Sequence, residues 1–470
     1  MEAGRGGPIP LDALGPRGSH RTRNRLTVPD VTGRPVAELS LVPRLFVQRS
    51  LAALRKAPPL DADELSAVLA RAGEAFATGT VGGVSAAAYR HRVSRVTGLP
   101  VSVVRKATEH IAHCSREAFH TVECARPRGT VSHWQDPLTR RGSGIWTRRG
   151  DVFAVHAAGN HPGVHALWLE ALALGYRTAV RPSSREPFTP QRLVTALREA
   201  GVGDDRLVLL PTDHTVADDI ISGADLSLVY GGDPVVTKYR SDPTVLTQGP
   251  GRSKILLCAG EDPAVALETI VASVSEEAGT ACVNTTAVLV DGDPAPVAAA
   301  LAERLAALPS LPPQDDKAVL PVHPVAGARA LEKHLLEHTG GGTVRLGGDG
   351  IVEELGDGSA VLRPAVIQLD RPDAPQAGME LPFPCVWVAP WAPADGIAPL
   401  TNTLVLTVFG GDEALIERLI AEPSIRNIHL GDRPTHWMAP GVPHDGHLAE
   451  FLMRSKGIVR SATAGPWREG

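Results

Sequence analysis

The chain has 470 residues with a formal net charge of −5, and its 43% hydrophobic and 21% charged residues are ordinary for a globular protein. This length suits two or three packed lobes, and the weak charge excludes a general field for nucleic acid or an anionic membrane. The sequence has no apolar run long enough to span a bilayer, no secretory signal and only five scattered cysteines, so we expect a cytoplasmic protein without a metal site.

The first 40 residues are rich in Gly, Pro and Arg and are predicted to form an irregular lead-in. Residues 60–120 then show the helical spacing of apolar side chains. From about residue 150 the pattern alternates between strand and helix. Its predicted elements are strands at 152–156, 178–181, 207–210 and 226–230, and helices over 163–175 and ending near Gly201. This alternation predicts a parallel sheet covered by helices on both faces, which would bind a ligand beyond the carboxyl ends of its strands.

A second alternating block starts at Lys254. Its predicted elements are strands at 255–258 and 287–290 and helices over 263–277 and 294–307. Within this block, Cys282 lies in the turn Gly279-Thr280-Ala281-Cys282, between a helix and an apolar strand. Small neighbours leave room for a substrate carbon beside a reactive thiol. A buried cysteine with no chemical role is the open alternative.

Polar residues and glycines follow several predicted strands of the first block. Asn160 follows the first strand, Arg181-Pro182-Ser183-Ser184 the second, and Gly231-Gly232 the fourth. An asparagine amide suits an oxyanion, a cation with hydroxyls suits ribose and phosphate, and glycine lets a backbone approach a pyrophosphate. Each is also compatible with a simple turn or helix cap, but their common placement at strand ends favours a binding site.

On these residues the chain resembles the aldehyde dehydrogenase superfamily over roughly residues 100–460. It is most similar to the branch that reduces acyl thioesters to aldehydes, which includes the long-chain acyl-CoA reductases of bioluminescent bacteria. The similar segments are Gly159-Asn160-His161-Pro162, Arg181-Pro182-Ser183, Tyr230-Gly231-Gly232, Gln248 to Lys254, Gly279-Thr280-Ala281-Cys282 and Glu380 to Pro384. Gln248 precedes Cys282 by 34 residues and Glu380 follows it by 98, and both separations fit the family.

The resemblance implies a role for each of these residues. Cys282 would attack the carbonyl carbon, while the Asn160 amide and the backbone N–H of Cys282 would hold the oxyanion. Glu380 would bind the hydroxyls of the nicotinamide ribose. The remaining positions would line the rest of the cofactor: Arg181, Pro182, Ser183 and Ser184 at the adenosine ribose, and Gly231 and Gly232 at the pyrophosphate.

One departure from the family pattern changes the expected chemistry. Gln248 stands where the family has a glutamate that activates water, and an amide cannot accept that proton. Exchange of the acyl group with a thiol is then favoured. The main hypothesis is therefore NAD(P)H-dependent reduction of an acyl thioester, carried by CoA or an acyl carrier protein, to an aldehyde. The alternatives are NAD(P)+-dependent oxidation of an aldehyde to an acid, with Glu276, Glu277 or another carboxylate as the base, and a catalytically silent binding subunit.

A second departure concerns the cofactor. Ser184 stands where NAD-preferring members often carry a glutamate, which binds ribose hydroxyls and repels a 2′-phosphate. With Arg181 and Arg185 nearby, NADPH is favoured as the cofactor and NADH is the alternative.

The implied fold is α/β, with a Rossmann-type parallel-sheet cofactor domain, an α/β catalytic domain and a small oligomerisation strand region. The predicted domains are 1–40 as lead-in, 41–254 for the cofactor with 126–150 contributing to oligomerisation, 255–435 as the catalytic domain, and 436–470 as the C-terminal return. The tail of the family pairs with a partner subunit, and an exposed edge strand needs a cover, so a homodimer or homotetramer is expected.

Overall fold

The structure is a computed structural model that describes residues 7–58 and 62–460. The prediction of an irregular N-terminal lead-in is wrong for the residues described. The described part of the lead-in contains five strands: β1 Ile9–Leu11, β2 Ala13–Gly15, β3 Gly18–His20, β4 Arg25–Pro29 and β5 Pro35–Ser40. The Gly and Pro residues that suggested irregular chain here mark turns, as at Gly18 and Gly33, which have φ angles of 101° and 82°. Residues 1–6 of the predicted lead-in lie outside the described residues.

A helical layer follows, as the apolar spacing predicts. It comprises α1 Arg44–Lys56, α2 Ala62–Thr78, α3 Ala86–Thr97 and α4 Val101–Cys124, with β6 Thr80–Val81 and β7 Val84–Ser85 as a short hairpin. The long helix α4 is amphipathic, and Val104, Ala107 and Ile111 on its apolar face are buried. His110 on the same helix is partly buried.

The first large sheet is built from the first alternating block. Its region contains β8 Thr130–Val131, β9 Ser143–Arg148, β10 Val152–His156, α5 Leu169–Ala173, β11 Arg177–Arg181, α6 Phe188–Ala200, β12 Leu207–Leu209, α7 His214–Gly223, β13 Leu226–Tyr230, α8 Asp233–Tyr239 and β14 Val245–Gln248. The strand order is β14-β13-β10-β11-β12-β2-β3, and β10 to β14 pair in parallel. The four predicted strands are therefore present within one residue of their expected ends.

The helix predicted over 163–175 is shorter than expected. Pro162–His165 forms a 3-10 turn, and the α-helix proper is the five-residue α5. Proline and glycine at the start of this segment disfavour a regular helix, and the side chains of His165 and Trp168 bond to each other instead. The predicted glycine stop is confirmed, because Gly175 has φ 81° and its N–H bonds back to Leu172.

The second large sheet uses the second alternating block. Its region contains β15 Ser253–Leu257, α9 Pro263–Ser275, β16 Thr285–Asp291, α10 Ala295–Ala306, β17 Val322–Pro324, α11 Val325–His338, β18 Thr343–Leu346, β19 Val352–Glu354, β20 Ser359–Leu362, β21 Ala365–Gln368, β22 Cys385–Trp391, β23 Thr403–Phe409, α12 Glu413–Ala421 and β24 Ile425–Leu430. The strand order is β18-β21-β22-β16-β15-β23-β24, and β22, β16, β15 and β23 are parallel. Apolar side chains dominate the interior of this sheet, with Ile255, Val288 and Val388 at 0% exposure.

The connection between the two sheets places the functional cleft. β14 ends at Gln248 in the first sheet and β15 begins at Ser253 in the second, so only residues 249–252 join them. The chain leaves the carboxyl end of one sheet and enters the amino end of the other. Because the neighbouring strands run parallel, the carboxyl ends of the first sheet face the amino ends of the second. The domain boundary predicted after residue 254 stays a prediction.

The C-terminal segment returns to the first half of the chain. Helix α13 Leu448–Leu452 leads into β25 Met453–Ile458, which pairs antiparallel with β9 in the small sheet β25-β9-β8. The segments predicted to oligomerise, within 126–150 and 436–470, thus share one small sheet. Residues 461–470 lie outside the described part. Of the helices in the described ranges, none combines the length and the apolar character needed to cross a bilayer.

Candidate active site

The loop that carries Cys282 is organised by one buried asparagine. The Asn284 side chain is 7% exposed, and its oxygen accepts the N–H of Ala281 at 2.9 Å. Its amide nitrogen donates to the carbonyls of Ser273 at 3.1 Å and Glu276 at 2.8 Å. These three bonds tie the end of α9 to the start of β16, so Cys282 is presented from a rigid turn. The sequence reasoning did not assign this residue, although asparagine is a common organiser of turns.

The same loop begins with a left-handed backbone turn. Glu277, Ala278 and Gly279 have φ angles of 53°, 58° and 66°. For the two residues with a side chain, this conformation costs about 1–2 kcal/mol each, and such strain collects at functional sites. Glycine is required at the third position, since a Cβ on Gly279 would lie 2.4 Å from the backbone nitrogen of Pro384. The helix predicted to reach residue 277 therefore ends at Ser275.

Asn160 lies beside the Cys282 loop, as the hypothesis of an oxyanion donor requires. Its amide nitrogen donates to the Thr280 carbonyl at 3.1 Å, two residues before the cysteine. One amide N–H is committed to this bond, and the second N–H remains for an oxyanion. The structure thus brings together two predicted residues that are far apart in sequence.

The electrostatic environment keeps the Cys282 thiol protonated. Cys282 reaches solvent, but the dense protein around its loop leaves little water to stabilise a thiolate. This burial raises the pKa of Cys282 to about 12, and the negative charges of Glu380 and Asp445 add to the effect. The backbone N–H groups of Cys282 and Val283 act in the opposite direction. The thiol therefore needs a compensating positive charge before it becomes a strong nucleophile.

The segment between the two sheets touches both halves of the site. Gln248 ends β14, and its backbone carbonyl accepts the N–H of Gly231 at 3.0 Å. A Cβ on Gly249 would lie 2.7 Å from the Gly231 oxygen, and a Cβ on Gly251 would lie 1.8 Å from the Cys282 oxygen. Both glycines are needed for close backbone packing. The predicted Gln248 is thus bonded to the Gly231 turn, three residues before the glycine that packs on Cys282.

Glu380 lies against this same segment. Its carboxylate accepts the N–H of Gly251 at 3.1 Å and that of Arg252 at 2.9 Å. Burial raises the pKa of Glu380, although those N–H groups and the Arg252 charge oppose the shift. The sequence analysis placed Glu380 near Cys282 through the cofactor. Its hydrogen bonds join it to Gly251 and Arg252, which lie 129 and 128 residues earlier in the sequence.

The residues predicted to bind the adenosine ribose gather at the end of β11. Arg181 donates to the Thr212 hydroxyl at 2.9 Å and to the Thr212 carbonyl at 3.2 Å, so part of its guanidinium is already engaged. Pro182 is buried, whereas Ser184 is exposed. Ser183 packs against the loop of Asn160, since a Cβ on Gly159 would lie 2.2 Å from the Ser183 hydroxyl oxygen.

The Gly231-Gly232 turn offers bare backbone at the end of β13. Gly232 caps α8, and a Cβ on Gly231 would lie 2.6 Å from the Cβ of Val235. A side chain at Gly231 would therefore displace the first turn of this short helix. The absence of side chains at this strand end fits the close approach of a pyrophosphate.

The two carboxylates considered as substitute bases have other partners. Glu276 forms an exposed ion pair with Lys106, with 2.5 Å between carboxylate and ammonium. Glu277 bonds to the ring of His161, with 2.7 Å between Oε2 and Nε2. Burial would raise the pKa of Glu277, but the His161 bond and nearby positive groups lower it overall. Neither residue lies within α9, although the helix predicted over 263–277 included both.

The comparisons with known proteins agree with this architecture. The profile of the family described as "Aldehyde dehydrogenase family" matches residues 155–449, more than half of the chain. The search of curated protein sequences with this chain found no match.

Three solved structures illustrate the fold. γ-Glutamyl-γ-aminobutyraldehyde dehydrogenase of Burkholderia cenocepacia J2315 is 18% identical with a TM-score of 0.80, and the match covers 96% of both chains. Indole-3-acetaldehyde dehydrogenase AldA of P. syringae, a mutant in complex with NAD+ and IAA, is 16% identical with a TM-score of 0.81 over 96% of this chain and 97% of that one. Aldehyde dehydrogenase 21 of Physcomitrella patens, in complex with the reaction product succinate, is 15% identical with a TM-score of 0.80 over 98% and 100%.

Proposed function

Because the chain belongs to the aldehyde dehydrogenase family, we propose that it oxidises an aldehyde to an acid with NAD(P)+ through a thioester on Cys282. The observation that carries this proposal is the hydrogen bond from the Asn160 amide to the Thr280 carbonyl, which holds the proposed oxyanion donor beside the Cys282 loop. The solved structures with NAD+ and with a carboxylate product support the oxidative direction by similarity. This direction is the alternative, rather than the main hypothesis, of the sequence analysis.

The chain's own residues account for the first step. The Cys282 thiol gives up its proton to water, its sulfur forms a bond to the carbonyl carbon, and the C=O π bond opens so that the oxygen becomes an oxyanion. The free N–H of Asn160 and the backbone N–H of Cys282 stabilise that charge. When bound, an oxidised nicotinamide would supply positive charge beside the thiol and would accept the hydride. Water then cleaves the resulting thioester to the acid and the free thiol.

The residues present fit such a cofactor. The bare backbone at Gly231 and Gly232 suits its pyrophosphate, and Arg181 with Pro182, Ser183 and Ser184 suits the adenosine ribose. Glu380 lies on the side of the nucleophile, where it would bind the other ribose. Ser184 carries no charge that would repel a 2′-phosphate and Arg185 is exposed beside it, so we propose NADPH and NADP+ as the preferred pair, with NADH and NAD+ as the alternative.

A second candidate function is acyl-thioester reduction, with CoA or an acyl carrier protein as the thiol carrier. The observation that favours it is Gln248, whose amide cannot activate water against the acyl-enzyme. A free thiol would then take the acyl group from Cys282, and the reverse reaction would release an aldehyde.

Turnover with and without a thiol tests both candidates. The enzyme is incubated with an aldehyde and NADP+ or NAD+, with or without CoA, and separately with acyl-CoA and NADPH. Acid formed without CoA supports oxidation, whereas acyl-CoA formed only with CoA, together with aldehyde from acyl-CoA, supports the second candidate. Absence of turnover in both directions, unchanged by Cys282→Ala, would contradict both and indicate a silent binding subunit.

A further inference from the structure

The left-handed turn before Cys282 is held by a side chain from the Asn160 loop. Gly163 donates its N–H to Nδ1 of His161 at 3.1 Å, so this ring nitrogen is an acceptor and carries no proton. The ring proton is then on Nε2, which donates to the Glu277 carboxylate at 2.7 Å. Both side chains are shielded, with 11% and 18% exposure. A buried, charge-assisted bond of this kind is strong and directional.

Two bonds now connect the same pair of loops. Asn160 bonds to the Thr280 carbonyl, and its neighbour His161 bonds to the Glu277 side chain. The Glu277 carbonyl in turn accepts the N–H of Thr280 at 3.2 Å and its hydroxyl at 2.9 Å. Hydrogen bonds and the intervening backbone therefore close a ring through Asn160, His161, Glu277 and Thr280. Cys282 follows Thr280 by two residues and lies just outside this ring.

We propose that His161 and Glu277 are positioning residues, which hold the strained turn and thereby fix the Asn160 amide relative to the Cys282 sulfur. The proposal rests on the proposed function for the roles of Asn160 and Cys282. Both ring nitrogens of His161 are engaged, so the ring has no free nitrogen to act as a base. The carboxylate charge strengthens this hydrogen bond, but a neutral acceptor at position 277 can also make it.

The surroundings of the pair are mostly uncharged. His110 from α4 faces it, and burial, together with His161, lowers the pKa of His110. His436 is close enough to interact with the Glu277 charge, and burial lowers its pKa as well. Lys106 is neutralised by Glu276. Glu277 is thus the carboxylate of this group that bonds to the Asn160 loop.

Substitutions at Glu277 separate positioning from charge. Glu277→Gln keeps an oxygen that accepts the His161 proton, whereas Glu277→Ala removes it. Glu268→Ala, at an exposed carboxylate on α9 that pairs with Arg304, is the matched control. We expect Glu277→Ala and His161→Ala each to lower kcat about 100-fold, as a misplaced catalytic group does, with KM changed by less than about threefold. Glu277→Gln should retain kcat within about fivefold, and the control within about twofold.

A second readout does not depend on turnover. Alkylation of Cys282 by iodoacetamide, followed by mass spectrometry of its peptide, reports the loop directly. We expect at least about threefold faster alkylation in Glu277→Ala than in Glu268→Ala, because a loosened turn gives the sulfur freer access to water and reagent, and wild-type behaviour in Glu277→Gln. Thermal unfolding checks that each variant is folded.

Several outcomes would overturn the proposal. Wild-type kcat and alkylation in Glu277→Ala would show that the bond does not hold the loop. Equal loss in Glu277→Gln and Glu277→Ala would show that the charge matters, not the acceptor. If the wild-type enzyme oxidises no aldehyde, the proposed function fails, while the alkylation series still decides whether the pair holds the turn.

Discussion

The two large sheets contribute to the cleft from opposite ends. The first sheet presents its carboxyl ends, with Asn160 and Gly231 just beyond β10 and β13 and Arg181 as the last residue of β11. The second presents its amino ends, where Cys282 precedes β16 and Glu380 precedes β22. The rule that ligands bind beyond the carboxyl ends of parallel strands describes only the first sheet. The proposed nucleophile, Cys282, lies at the sheet end to which that rule does not apply.

This difference has a physical reason in how each end is held. Strand carboxyl ends lead into helix starts and turns, so glycine, serine and asparagine there are short-range features. The loops at the amino ends of the second sheet are fixed instead by long-range contacts, such as Gly251 against Cys282 and Glu380 against Arg252. The cofactor side is therefore built locally, and the nucleophile side is built by packing between distant segments.

Removal of the nucleophile gives the largest expected effect on this comparison. Cys282→Ala should reduce aldehyde turnover roughly 10³-fold or more, because the amino end of the second sheet then lacks its reacting atom. The exposed position predicts little change in the thermal unfolding midpoint. Cys124→Ala, at the other exposed cysteine, is the control and should retain activity. Comparable turnover in the two variants would place the nucleophile elsewhere.

A methyl group added in residues 249–252, the segment that joins the two sheets, should have the next largest effect. In Gly251→Ala the new Cβ would lie 1.8 Å from the Cys282 oxygen, so the cysteine loop must move, and kcat should fall about 100-fold. Gly327→Ala, in α11 with nothing within 4 Å, is the matched control and should stabilise the protein by about 0.5–1 kcal/mol. Steady-state kinetics and thermal unfolding measure both. Normal kcat in Gly251→Ala would mean that the nucleophile side does not depend on this packing.

A charge at the carboxyl end of β11 should affect only the cofactor. Ser184→Glu should lower kcat/KM for NADP+ by about tenfold or more through repulsion of the 2′-phosphate, and change the value for NAD+ much less. The same change at the exposed Ser222 on α7 is the control. An equal loss with both cofactors would argue that Ser184 does not lie at the adenosine ribose.

The smallest effect at neutral pH concerns four buried groups of the first lobe. Burial lowers the pKa of His156 and of His165 to about 3, and raises the pKa of Glu170 and of Glu186 to about 7. Below about pH 6.5 the unfolded histidines bind protons that the folded ones refuse, so stability falls as pH falls. Below about pH 7 the folded glutamates bind protons first, so stability rises as pH falls, until the unfolded glutamates also protonate near pH 4.5.

These contributions oppose each other between about pH 6.5 and 4.5. Between about pH 4.5 and 3 these two histidines should lower the free energy of unfolding by about 3 kcal/mol per pH unit, in addition to the fall from carboxylates whose pKa folding lowers, such as Asp30 and Asp225. Denaturant unfolding at a series of pH values measures the slope. His165→Gln should reduce it by about 1.4 kcal/mol per pH unit, whereas the same change at the exposed His91 should not. A slope that His165→Gln leaves unchanged would exclude this origin of acid sensitivity.

Local patterns were sufficient to predict the parallel sheets. The strands Val152–His156 and Leu226–Tyr230 have their expected bounds because each is an apolar run closed by glycine or small polar residues. The five N-terminal strands were missed, since three to six residues of mixed polarity carry no clear period. The helix over 163–175 was overextended because its apolar spacing continued across a segment that begins with Pro162 and Gly163.

The contacts within the site could not be predicted from local pattern. His161 and Glu277 lie 116 residues apart, and nothing near either residue indicates the other. Glutamate and alanine favour right-handed helix, so residues 277 and 278 give no sign of a left-handed turn. Only the spacing of Gln248, Cys282 and Glu380, interpreted through a family resemblance, brought the second half of the site together.

The four-residue segment 249–252 affects how the free-energy changes of separate substitutions combine. Gly249 packs on the Gly231 turn and Gly251 on Cys282, so a shift of this segment is transmitted to both at once. Free-energy changes from substitutions in this segment will not add to those from substitutions at either neighbour. Cofactor affinity and nucleophile reactivity are therefore not independent quantities in this protein. A double-mutant cycle that combines a substitution in residues 249–252 with one at Gly231 or beside Cys282 will give a nonzero coupling energy. That energy measures how strongly this segment links the two sides of the site.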